Sequence, residues 1–229
     1  MKKLLIVIAC VLAAVNGANA QGVNFGVRVG MNVANAGGDF KDDWDADFKS
    51  RVGFHVGVIA DVELSEKFYL QPGLYFTTKG LKYEDKEGMG LESKYNLNYL
   101  ELPILASYRF NLSDNMQWQI NAGPYFAVGV GGKVKGTDFD FDEDAKFEFK
   151  YDAFGVADED SDEEKGGLKR FDAGLSFGTG ITYNKIYFGI KYDLGLANIA
   201  DKKVWVNEDT GKSQKIRNRN FAISVGYTF

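Results

Sequence analysis

The chain has 229 residues, 27 basic and 32 acidic side chains, and a net charge of −5. A balance with no dominant basic patch argues against a nucleic-acid binder, and one cysteine with one histidine excludes a disulfide framework or a Cys/His metal cluster. The 27 glycines, 18 phenylalanines and 12 tyrosines, against 3 prolines, spread along the chain as in a β-barrel.

The N-terminus reads as a secretory signal. Lys2 and Lys3 precede an apolar run over 4–15, and Ala18-Asn19-Ala20 forms a small-residue cleavage site. The run is too short to span a bilayer as a helix. An N-terminal membrane anchor is the alternative. Cys10 lies inside the run rather than at the first mature position, so a lipoprotein anchor does not fit. Cleavage between Ala20 and Gln21 leaves about 209 residues at a net charge of about −7 and no cysteine. Residues 21–229 then form one domain.

Period-two alternation predicts eight strands after the signal. The first, about 23–35, sets Phe25, Val27, Val29, Met31 and Val33 against Gly26, Arg28, Gly30 and Asn32. The second, about 51–62, sets Val52, Phe54, Val56 and Val58 against Gly53, His55, Gly57 and Asp61. The third, about 68–83, places Phe68, Leu70, Leu74 and Phe76 opposite Tyr69, Gln71, Tyr75 and Thr77. The fourth, about 94–110, opposes Leu100, Leu102 and Ile104 to Tyr99, Glu101 and Arg109; the fifth, about 116–131, opposes Trp118, Ile120 and Phe126 to Gln119, Asn121 and Tyr125. The sixth and seventh, about 168–183 and 186–198, carry Asp172, Lys191 and Asp193 on their polar faces. The eighth closes the chain with Phe221, Ile223, Val225, Tyr227 and Phe229 on one face. Segments this long exceed ordinary soluble strands and suit tilted lipid-crossing ones.

The connections alternate between long and short: about 36–50, 84–93, 132–167 and 199–215 against 64–67, 111–115 and 184–185. Outer-membrane barrels have long extracellular loops and short periplasmic turns, so both termini are expected in the periplasm. The fold class expected is therefore all-β: an eight-stranded antiparallel up-and-down transmembrane β-barrel whose terminal strands close on each other, since lipid cannot satisfy an open edge. The polar faces are rich in Gly, Asn and Ser and carry Arg28, Arg51, His55, Asp61, Glu101, Arg109, Asp172, Lys191 and Asp193. Small residues beside mixed charges suit a narrow lumen filled by its own side chains, where the charges should pair. A soluble barrel with an apolar interior is the alternative.

Several segments resemble the PorT-like outer-membrane β-barrel proteins of Gram-negative bacteria. Tyr99-Leu100-Glu101-Leu102-Pro103-Ile104 is similar to a "YLE-hydrophobic-P" segment of that family. The stretches 25–32, 187–199 and 218–229 are similar to its first, seventh and closing strands. The resemblance covers the mature chain and implies an eight-stranded barrel, no catalytic residues and no cofactor. It also implies that the closing strand, with its terminal aromatic, is read by the barrel assembly machinery.

Chemistry has few places to reside. His55 is the only imidazole, mid-strand on the polar face, and reads as a hydrogen-bonded lumen residue. No Gly-x-Ser-x-Gly elbow or phosphate loop occurs. The segment 137–165 holds thirteen acids against three lysines. Asp138, Asp140, Asp142 and Asp144 have alternating spacing that suits Ca²⁺ or Mg²⁺. Glu143 replaces the glycine that an EF-hand loop needs, so a solvated charge block is the plainer reading. Alternating Phe139, Phe141, Phe147, Phe149 and Tyr151 suggest that the flanking strands continue above the membrane as a hairpin, with 158–164 as a disordered tip.

The leading functional expectation is a small non-enzymatic barrel acting in surface interaction or envelope integrity, in contact with outer-membrane lipid and lipopolysaccharide. A second is an accessory of an envelope secretion or transport system that docks other envelope proteins. A third is an outer-membrane enzyme using His55 and rim carboxylates.

Overall fold

A computed structural model describes residues 22–38, 46–85, 92–140, 145–157, 164–206 and 211–229. The expected signal segment and the 158–163 part of the expected disordered tip lie outside the described residues. The strands are β1 (Val23–Gly37), β2 (Ala46–Ser65), β3 (Phe68–Asp85), β4 (Glu92–Ser113), β5 (Met116–Asp140), β6 (Ala145–Phe154), β7 (Lys165–Leu168), β8 (Phe171–Tyr183), β9 (Ile186–Gly195) and β10 (Arg217–Thr228). Eight of them close an antiparallel barrel in chain order, β1-β2-β3-β4-β5-β8-β9-β10, with β10 returning to β1 from Gly26↔Thr228 to Gly37↔Arg217. Closure leaves no sheet edge within the barrel.

The alternation sets the two faces. Phe25, Val29, Met31, Phe54, Val58, Phe177, Phe188 and Ile223 point outward and are about half exposed, while Asn32, His55, Gln71, Glu101, Tyr125, Asp172 and Asp193 point inward and are buried. An apolar exterior around a polar interior is the inverse of a soluble barrel and matches a lipid-facing wall.

The barrel has a turn end and a loop end. Two-residue turns at 66–67, 114–115 and 184–185 join hairpins at the turn end. There Asn184 takes the left-handed conformation, φ 53°, which asparagine tolerates better than most residues. Neighbouring hairpins are stitched together by Arg109 N–H to the Lys67 carbonyl, Asn184 N–H to Asn115 and Thr228 N–H to Lys185.

The loop end departs from the sequence expectation. Residues 132–167, expected as one long acidic loop, are largely strand. β5 runs 25 residues, far beyond the nine to eleven a lipid-crossing strand needs. It pairs with β4 as far as Glu92↔Thr137. On its other edge it pairs with β8 from Met116 to Val128, and then with β6 from Lys133 to Asp140. The Phe/Tyr alternation does extend the fifth strand, but the returning strand is β6, separate from the sixth barrel strand. β6 pairs parallel with β7 before the chain re-enters the barrel at β8. β2, β3 and β4 are also long, at 20, 18 and 22 residues, against 13, 10 and 12 for β8, β9 and β10. Five strands, β2 to β6, thus form a tall wall above one side of the barrel.

The remaining loop-end segments fold over the mouth. Leu168 bridges to Ala200, Lys169 N–H donates to the Ile199 carbonyl (2.7 Å), and Ile199 N–H donates to Ile216 (2.9 Å). This brings Phe154, Leu168, Ile199, Ala200 and Ile216 onto Leu81, Leu97, Tyr99, Tyr125, Ala127 and Val134 as one buried apolar cluster. The Phe154 ring sits edge-on to Tyr99 with centroids 5.7 Å apart. It lies so close over Gly129 that a Cβ there would fall 2.7 Å from its Cε1. Only glycine at 129 leaves room for this plug.

Candidate functional site

The lumen is layered. At mid-height Lys79 lies 2.8 Å from Glu101 and 3.4 Å from Asp172. Lys191 lies 2.8 Å from Glu101 and 3.1 Å from Asp193. The carboxylates are held by further donors: Tyr125 and Asn218 reach Asp172 at 3.2 and 2.9 Å, and Ser176 and Asn220 reach Asp193 at 2.6 and 3.1 Å. Lys79 also sits 4.4 Å above the Tyr125 ring. Two lysines against three carboxylates, all but Lys191 essentially buried, form a compact network in which each charge has a partner, the condition under which buried ions persist.

Sequence reasoning brought Glu101, Asp172, Lys191 and Asp193 into this set and missed Lys79. Its inward parity follows from Tyr75 and Thr77, but the pattern is disturbed just there. Gly80 has φ 139°, and β2 carries one extra residue between Ser50 and His55, a bulge that breaks strict alternation. Arg51 lies in that bulge and donates to the Lys79 carbonyl at 3.2 Å. It therefore binds backbone, and among the described residues no carboxylate pairs with it.

His55 is held at both nitrogens, Nδ1 2.8 Å from Asn32 Oδ1 and Nε2 2.9 Å from Ser224 Oγ. Asn32 donates its amide to the Phe54 and Thr78 carbonyls and Thr77 Oγ1, so its oxygen faces the ring. That arrangement puts the imidazole proton on Nδ1 and makes Nε2 the acceptor for the Ser224 hydroxyl. Gly30 makes the approach possible, because a Cβ there would fall 2.9 Å from Nε2. The hydrogen-bond order matches a nucleophile, base and orienter. The imidazole is 4 % exposed and, among the described residues, lies inside a barrel whose loop end is covered by the apolar cluster.

At the turn end Arg109 Nη2 lies 2.6 Å from Asp61, which also accepts from Gln71 at 2.6 Å. Arg109 stacks 3.9 Å over Tyr69, and Arg28 stacks 3.8 Å over Tyr187. Arg28 has no carboxylate partner among the described residues; the carboxylate nearest in kind, Asp61, is taken by Arg109. A cavity of about 180 Å³ opens among Arg28, Asp61, Arg109, Gln119, Lys185 and Tyr187.

The wall above the barrel holds a feature that no single strand displays. Lys49↔Lys82, Lys82↔Lys94, Lys94↔Lys135 and Lys135↔Lys150 are direct cross-strand partners. Five lysines therefore stand in one line across five strands on the outer face. The next register line outward holds the positions of Asp47, Glu84, Glu92, Thr137 and Glu148. Below, Lys133 pairs with Asp152 across β5 and β6; this hydrogen-bonded ammonium holds the Asp152 carboxyl below its ordinary value.

The expected cation ligands are only partly visible. Asp142 and Asp144 lie outside the described residues, as do the side chains of Asp138 and Asp140, whose backbone belongs to β5. Among the described residues no three His, Cys, Asp or Glu side chains gather as a metal site. Phe221, Ile223, Val225 and Tyr227 of β10 and Phe229 just after it are 37–66 % exposed.

No curated protein matches the chain in sequence. Among solved structures, it is similar to Ail, the attachment invasion locus protein of Yersinia pestis, in complex with the heparin analogue sucrose octasulfate (11 % identity, TM-score 0.41, covering 91 % of this chain and 100 % of that one). It is similar to the outer membrane protein OprG from Pseudomonas aeruginosa (12 %, 0.45, 91 % and 96 %). It is also similar to the outer membrane protease OmpT from Escherichia coli (10 %, 0.45, 92 % and 98 %). Each is a likeness of the barrel and nothing finer. The family model described as outer membrane protein beta-barrel domain matches residues 19–201, most of the chain, and the protein belongs to that family.

Proposed function

We propose that this protein is a non-enzymatic outer-membrane barrel whose tall wall holds the anionic saccharide surface of the outer leaflet, serving surface interaction or envelope integrity. The observation that carries the reading is the line of five lysines. It stands roughly 10–20 Å along the strands beyond the last outward apolar residues, Val52, Phe76 and Val130, at about 3.3 Å per residue. That is the level at which hydrocarbon has given way to charged headgroups. Like charges directly opposed across strands are unfavourable by themselves, and phosphate groups of lipopolysaccharide supply counter-charge from the lipid side. In this orientation the turn end and both termini are periplasmic, and the outward apolar set of β10 serves the assembly machinery. The ionic core and apolar plug support a lumen that passes no bulk solute.

The test is lipopolysaccharide binding by the folded protein with Lys49, Lys82, Lys135 and Lys150 changed together to glutamine. Each lysine near an anionic surface contributes about 1 kcal/mol, so binding should fall more than a hundredfold at low salt. Unchanged binding overturns the reading, as does porin-scale conductance in a planar bilayer. A second reading is an accessory of envelope secretion or transport that docks other envelope proteins through its turns or outer loops. A stoichiometric envelope partner in cross-linked pull-downs, lost when the turns rather than the wall are altered, would favour it over the first.

A further inference from the structure

We infer that the turn-end cavity is a binding site for a small oxyanion of the phosphate, sulfate or carboxylate class. Three cationic side chains line it, Arg28, Arg109 and Lys185, against one side-chain carboxylate, Asp61, and the last residue of the chain, Phe229, also borders it. That carboxylate is already engaged twice, by Arg109 and by Gln71, both at 2.6 Å. Arg28 is 8 % exposed, and its Nε is buried with no hydrogen-bond partner; Arg109 Nε is in the same condition. A buried guanidinium without a counter-charge is costly, and stacking on Tyr187 offsets only part of that cost. Stacking also fixes the guanidinium plane, which prepares its N–H groups for bidentate recognition of an oxyanion.

The space fits such a guest. About 180 Å³ is many times the ~15 Å³ that admits one water, so an oxyanion enters with part of its hydration shell. The lining also holds neutral, hydrogen-bonding side chains, among them Gln117, Gln119, Asn24 and Thr182. Lys185, on the β8–β9 turn beside Tyr227, places a third positive charge at the entrance. Asp61 orients Arg109 without neutralising Arg28. The mid-lumen network above has every charge paired, so its carboxylates are not free to reach down and serve Arg28.

The experiment uses the full mature chain refolded in uncharged sugar-detergent micelles. Inorganic phosphate, sulfate and acetate are titrated at constant ionic strength against sodium chloride, and the ¹⁵N and ¹H shifts of the arginine Nε–H groups are followed. The Arg28 signal is assigned by its loss in Arg28→Lys. A saturable shift of the Arg28 signal with at least one oxyanion, absent with chloride, is expected. Arg28→Gln should weaken binding at least tenfold, read from the Arg109 signal. Lys185→Gln, at an exposed turn whose main-chain bond from Thr228 the substitution leaves in place, should weaken it two- to fivefold with unchanged heat-modifiable gel mobility. A parallel series with an anionic phospholipid in place of free phosphate distinguishes a headgroup from a soluble ion. A response to either supports the oxyanion site, and a response to neither overturns it. Equal anion responses in wild type and in both the Arg28→Gln and Lys185→Gln proteins also overturn it.

Discussion

The two ends of this barrel are closed by different physics. At the loop end, apolar side chains from two connections, β5 to β8 and β9 to β10, pack with Phe154 onto Tyr99 and Tyr125 in a buried cluster. At the turn end, two stacked arginines, an aspartate and amides surround an open cavity. The ionic layer of Lys79, Glu101, Lys191, Asp172 and Asp193 separates them. An apolar plug depends on volume and tolerates salt; a polar vestibule depends on charge balance and admits ions. One lumen therefore presents a sealed face and a receptive face.

Lys79 is the hinge of that contrast, because it neutralises carboxylates on both β4 and β8. Lys79→Met should cost about 3–5 kcal/mol by leaving Glu101 and Asp172 under-compensated in a buried site; urea unfolding in lipid vesicles measures it, and a loss under 1 kcal/mol would mean the ends are not separated by an ionic layer. Phe154→Ala should cost about 3 kcal/mol, confined to the loop end. Its signature is faster proteolysis of 145–168 while the barrel keeps its heat-modifiable mobility; loss of the barrel itself would show that the plug is part of the folding core. At the other end, Asp61→Asn releases Arg109 and should cost about 1–3 kcal/mol, with no change in proteolysis of the plug. The smallest effect is one of pH. The Asp152 carboxyl is held below its ordinary value by Lys133, so its contribution to wall stability is present above about pH 4 and is lost as pH falls through the depressed folded value. Protection factors of the β6 amides, corrected for the intrinsic pH dependence of exchange, should fall on acidification in wild type and stay constant over that range in Asp152→Asn.

The barrel staves were legible because each is a local pattern: Phe221 to Phe229 or Val27 to Val33 shows both faces within one segment. The inward charges of β4, β8 and β9 followed from the same parity. Lys79 did not, since the bulge in β2 and the positive φ at Gly80 disturb the rhythm at that point. The plug was invisible for another reason. Phe154 and Leu168 end two short strands of one connection, Ile199 and Ile216 lie far apart in another, and only closure of the barrel brings them together. The lysine line is likewise a property of register, with one residue contributed by each strand. The alternating aromatics of 147–151 did announce a strand. They could not say that its partner would be the upper edge of β5 while the lower edge of the same strand went to β8.

That shared strand has a mechanical consequence. β5 extends about 80 Å at roughly 3.3 Å per residue, from the turn end through the lumen wall to the crest above the membrane, with one bulge at Val130 opposite Asn98 and Tyr99. A tug on the crest cannot be relieved by sliding, because a one-residue slip would turn Trp118 and Ile120 inward and Gln119 and Asn121 into lipid. Whatever grips the crest therefore pulls on the lipid-embedded anchor through one covalent strand, and the bulge at Val130 marks where wall and barrel meet.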